Sequence, residues 1–85
     1  MWGAHEHYHA KGITAHKLQN TPDEFVDITE DELDEFPALK EAIISQEPVK
    51  VHPDEWMRTI DFLNEKGSWF IRFNGEYYEI LFITA

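Results

Sequence analysis

The 85 residues carry 17 Asp and Glu against seven Lys and Arg, a formal charge of −10, with 42% apolar residues, six Phe, three Trp, three Tyr and no Cys. Such a length makes one domain with a modest core, and the aromatic content argues against disorder. The charge repels phosphate backbones and anionic lipid headgroups, so no nucleic-acid and no membrane partner is expected, and the lack of Cys removes disulfides, thiolate metal sites and thiol nucleophiles. No apolar run approaches the roughly 20 residues of a membrane span and no secretory pattern opens the chain, so a cytoplasmic protein is expected.

The first 24 residues give the weakest signals and are expected to form a loosely docked segment of a single domain covering 1–85. His5, His7 and His9 alternate with Glu6 and Tyr8, so in an extended strand all three would point the same way. Together with His16 they are a candidate transition-metal site for zinc, nickel or copper. The competing reading is a terminal segment that needs no ligand. Thr14 to Leu18 predicts a helical turn, and Thr21-Pro22-Asp23-Glu24 is a capping pattern that starts a turn.

Two strand-to-helix units follow. Val26-Asp27-Ile28 runs into Thr29-Glu30-Asp31-Glu32, where Thr29 as N-cap and Glu32 three positions later form a capping box. Val49-Lys50-Val51 runs into His52-Pro53-Asp54-Glu55, with Pro53 at the first helical position and Asp54 and Glu55 facing the positive helix end. The pattern predicts strands near 25–28 and 49–51 and helices near 30–45 and 53–66. Pro37 implies a kink in the first helix or its division into two short ones. Trp56, Ile60 and Leu63 form the buried face of the second helix, and Gly67 ends it.

The C-terminal part is a hairpin, strands near 69–73 and 76–83 about an Asn74-Gly75 type I′ turn. This register pairs Phe73 with Glu76, Ile71 with Tyr78 and Trp69 with Ile80. One face then holds Trp69, Ile71, Phe73, Tyr78, Ile80 and Phe82, a bed for the helices. The reverse face holds Phe70, Arg72, Tyr77, Glu79, Leu81 and Ile83. Its apolar members require cover, from residues 1–24 with Trp2 and Tyr8 supplying bulk, or from another chain in a homodimer or protein complex.

The stretch VDITEDELDE holds six carboxylates in ten residues. On a wheel of about 100° per residue, Glu30, Asp31, Asp34 and Glu35 share one stripe, opposite Leu33, Phe36, Leu39 and Ile43. The stripe is explained by a solvated helix wall. It also contains two like-charge i,i+4 pairs, Glu30 with Asp34 and Asp31 with Glu35, and no Lys or Arg lies between Asp27 and Ala38 to relieve them. Hard oxygen ligands suit calcium as the cation that would, although the spacing is not that of an EF-hand.

Catalysis has no comparable support. Ser45 and Ser68 lack a nucleophile turn, and the four glycines are too scattered for a phosphate loop, so no enzyme is expected. The pattern FVDITEDELDEFPALKEAI, with the V-K-V strand, the Pro53 to Lys66 helix and FNGEYYEI, resembles small acidic α+β proteins of unassigned role from archaea. The resemblance spans roughly 25–83 and implies calcium binding through surface acids, for which Glu30, Asp31, Asp34 and Glu35 are the matching positions.

The reading is an α+β domain with a mixed or mainly antiparallel sheet of about four strands, two main helices on one face and a C-terminal β-hairpin. Two functions stand side by side: divalent-cation binding of the calcium type at the acidic stripe, and a protein-interaction or homo-oligomerisation module using the reverse face of the hairpin.

Overall fold

Residues 11–84 are described by a computed structural model, in which five strands and three helices follow in the order ββααβαββ. The strand expected at His5 to His9 lies outside the described residues. The elements are β1 (Lys11–Leu18), β2 (Val26–Asp27), α1 (Glu30–Asp34), α2 (Pro37–Ser45), β3 (Val49–Lys50), α3 (Pro53–Lys66), β4 (Phe70–Phe73) and β5 (Glu76–Thr84). They form an α+β domain around one mixed sheet of order β2-β4-β5-β1-β3. Only the β2–β4 pairing is parallel.

The sheet has five strands where four were expected, because residues 11–18 are a strand and not a loop with a helical turn at Thr14 to Leu18. β1 pairs with β5 over its whole length, from Lys11 opposite Thr84 to Leu18 opposite Tyr77, and lies between β5 and β3. Ile13 and Ala15 enter the core from it. Loose docking, expected for residues 1–24, therefore does not describe residues 11–18.

Three helices replace the expected two, and Pro37 is the reason. It occupies the first position of α2, where its missing N–H costs nothing, while Phe36 before it takes φ −131° and ψ 74°, outside the helical region. The capping box of α1 is present: Thr29 Oγ1 accepts from the Glu32 N–H at 3.1 Å and the Glu32 carboxylate accepts from the Thr29 N–H at 2.9 Å. Gly67 closes α3 at φ 107°, and Asn74 and Gly75 take φ 56° and 81° in the hairpin turn.

The core lies on one side of the sheet. Ile13, Ala15, Ile71, Tyr78 and Ile80 pack against Leu33, Leu39, Ala42, Ile43 and Leu63 of the helices. The edge of β1 beyond β3 is closed by Gln46, the left-handed C-cap of α2. Its Nε2 donates to the Ile43 carbonyl at 2.8 Å and its Oε1 accepts from the Lys17 N–H at 3.2 Å.

Candidate functional site

The acidic stripe lies on α1 and its C-cap Glu35, and the fold brings cations to it that are remote in sequence. Lys40 of α2 reaches back, its Nζ 2.7 Å from Asp34 Oδ1 and 3.9 Å from Glu30 Oε2. The Asp34 hydrogen bond raises the Lys40 pKa, so the ammonium stays charged there. The Glu30–Asp34 repulsion is thereby relieved within the chain. Lys66, the last residue of α3, meets Glu32 at 2.6 Å, and Arg72 pairs with Asp27 across β4 and β2.

Asp31 and Glu35 form no ion pair among the described residues. Nor do three or more His, Asp or Glu side chains come together among the described residues in a group that would hold a metal ion. Glu30, Asp31, Asp34 and Glu35 thus share a helix wall without forming a coordination cage.

Of the candidate histidine ligands, His5, His7 and His9 lie outside the described residues. His16 is exposed on β1, opposite Glu79 in the β1–β5 register. His52 has a local task at the start of α3, where its Nδ1 accepts from the Asp54 N–H at 3.2 Å. A hollow of about 610 Å³ lies among Thr21, Pro22, Asp23, Glu24, Ser68 and Phe70, and its hydroxyl at Ser68 accepts from the Phe70 N–H at 3.0 Å with no His in the lining. A second hollow, of about 450 Å³, has an apolar wall of Ile28, Ile44 and Phe73 beside Glu30 and Lys40. Among the described residues, neither lining contains a His.

The face of the sheet turned away from the helices is built by alternation. Because paired residues project to the same side, it carries Asp27 of β2, Phe70 and Arg72 of β4, Tyr77, Glu79, Leu81 and Ile83 of β5, Gly12, Thr14, His16 and Leu18 of β1, and Lys50 of β3. This is the reverse face expected from the hairpin, widened by β1. Leu81 and Ile83 are 37% and 39% exposed, while their neighbour Ile80, on the helix side, is fully buried. Ile83 lies beside Gly12, where an added Cβ would meet the Val49 carbonyl at 3.3 Å and the Ile83 Cβ at 3.6 Å, and Thr14, the next residue of β1 on this face, is buried. At its rim Phe25 meets Tyr77 edge to face, and the Arg72 guanidinium lies over Phe25.

Neither a protein-family model, nor a curated protein, nor a solved structure matches this chain. The geometry alone ranks the sites. The signal for the widened face was present in Gly12-Ile13-Thr14-Ala15, where Ile13 and Ala15 alternate with smaller or polar residues. No helix among the described residues is long and apolar enough to cross a membrane.

Proposed function

We propose that this chain is a protein-interaction module whose docking surface is the open face of the sheet. The observation that carries the reading is the pair Leu81 and Ile83, exposed side by side on a strand whose inward residues Tyr78 and Ile80 are buried. Covering such side chains is worth about 25 cal/mol per Å² of apolar surface removed from water, and a contiguous apolar strip on a sheet is where that gain is collected. The acidic stripe ranks second as a site because Lys40 already relieves half of its repulsion.

An environment-sensitive apolar dye of the anilinonaphthalene type, added to dilute protein and followed by methyl NMR, tests the reading. Shifts concentrated at Leu81 and Ile83, and lost in Leu81→Lys, are the expected result. Shifts confined to exposed apolar methyl groups elsewhere, those of Ile44 and Met57, would remove the open face from consideration.

A further inference from the structure

We infer that Asn74 is a site of spontaneous covalent modification, at which the backbone of the hairpin turn converts the side-chain amide into aspartate and isoaspartate when the tip opens locally. The inference goes beyond the docking face and does not depend on what covers it.

Selection among the asparagines is the first ground. The reaction needs an Asn whose following backbone nitrogen can reach its side-chain carbonyl carbon, and of Asn20, Asn64 and Asn74 only the last precedes a Gly. Thr21 places a stiff β-branched side chain after Asn20. Asn64 lies inside α3, where its Oδ1 accepts from Trp69 Nε1 at 3.0 Å. Asn74 is exposed, and among the described residues its side chain makes no hydrogen bond. Gly75 is exposed as well, a Cβ added to it would meet nothing within 4 Å, and its N–H has no backbone partner among the described residues. Electrophile and nucleophile are both uncommitted.

Base removes the Gly75 N–H proton, and the nitrogen attacks Cγ of Asn74. The bond from Cγ to Nδ2 breaks, ammonia leaves with the proton returned to it, and a five-membered succinimide joins the two residues. One water then opens the ring at either carbonyl. Cleavage between the Gly75 nitrogen and Cγ leaves aspartate, whereas cleavage between that nitrogen and the backbone carbonyl carbon leaves isoaspartate, with the main chain running through Cβ and Cγ.

The turn sets the route. Asn74 and Gly75 take φ 56° and 81°. A type I′ turn holds ψ of its first central residue at about +30°, which directs the Gly75 nitrogen away from the Asn74 side chain, so the tip has to open before the atoms meet. Opening gives up the Phe73–Glu76 pairing and the exposed Lys17–Glu76 ion pair of 3.1 Å, but leaves Ile71, Tyr78 and Ile80 in the core. It therefore requires less than unfolding the domain. The two products differ in effect. Aspartate tolerates the left-handed φ and adds one negative charge beside Glu76 to a chain already at −10. Isoaspartate adds an atom to the main chain of a two-residue turn, so the tip no longer closes between Phe73 and Glu76.

Peptide-level mass spectrometry of the full chain, incubated for weeks at physiological temperature in mildly alkaline buffer beside a free peptide of residues 71–78, tests the inference. Both products are expected at Asn74, more slowly than in the peptide, with Asn20 and Asn64 intact. Asn74→Gly, which keeps the left-handed turn, should remain unmodified. Sub-denaturing urea separates the routes, since local opening leaves the rate within about twofold, whereas reaction from the unfolded chain speeds at least about fivefold per molar urea. An Asn74 still intact after about a hundred half-lives of the free peptide, equal conversion at Asn20 or Asn64, or a rate that climbs with urea as global unfolding does would each overturn it.

Discussion

Glu55 of α3 accepts a hydrogen bond from the Ala38 N–H at 3.0 Å, so a carboxylate in the first turn of one helix caps the start of another. α2 needs this help because its own N-cap, Phe36, has no side-chain acceptor. Glu55→Ala leaves an N-terminal N–H of α2 without its partner and should cost about 1 kcal/mol, whereas Asp54→Ala, at the same helix end but without this contact, should cost about 0.5 kcal/mol or less. Urea unfolding of the two variants checks the difference. Equal losses would show that only the α3 dipole matters.

The Glu32–Lys66 pair makes stability depend on pH. The Lys66 hydrogen bond first, and the Thr29 N–H after it, hold the Glu32 carboxyl below the usual carboxylate range. A group depressed in the folded state stabilises it above the unfolded pKa and gives that up as pH falls through the folded value. Glu32→Gln should therefore cost about 0.5–1 kcal/mol at pH 7, the modest scale of a partly exposed pair, with the deficit vanishing below the carboxylate range. Thermal melts at pH 7 and pH 3 give the comparison. A deficit that persists in acid would assign the effect to packing.

Lys40 makes its own forecast for the acidic stripe. Removing it in Lys40→Met should lower the melting temperature at low salt, by an amount that shrinks by at least half at about 0.5 M NaCl as Glu30 and Asp34 are screened. Calcium and sodium at matched ionic strength should stabilise the wild type alike, because one like-charge pair is already relieved from within. A rise in melting temperature that grows with calcium and is lost in Asp31→Asn with Glu35→Gln would instead establish a cation site.

Ile80 and Leu81 are adjacent on β5 and face opposite sides of the sheet. Ile80→Ala should cost about 2–5 kcal/mol through the cavity it opens beneath the helices. Leu81→Ala in dilute protein should cost about 0.5 kcal/mol or less, since little of its contact area belongs to the core. Comparable losses would mean that the open face is covered within the monomer.

The hairpin was legible in the sequence because its information is local. Asn74-Gly75 fixes the turn, and the expected partners Phe73 with Glu76 and Ile71 with Tyr78 are those of the structure. The capping box and the break at Pro37 were legible for the same reason. β1 was not, because its short alternation of Ile13 and Ala15 gives way to exposed His16 and Lys17, and its strand character is supplied by β5. The acids were misjudged in one respect. A search between Asp27 and Ala38 finds no cation, whereas Lys40 and Lys66 reach the acids through the fold.

The pairing of β1 with β5 joins residues from 59 to 73 positions apart, Leu18 with Tyr77 and Lys11 with Thr84. The centre of the sheet is thus closed by the largest loops the described chain can make, and their entropy is lost before most of the core contacts compensate for it. Such a topology folds late and as a whole. The helices and the hairpin can flicker into being on their own, but the bed on which they settle exists only once the first and last described strands have found each other.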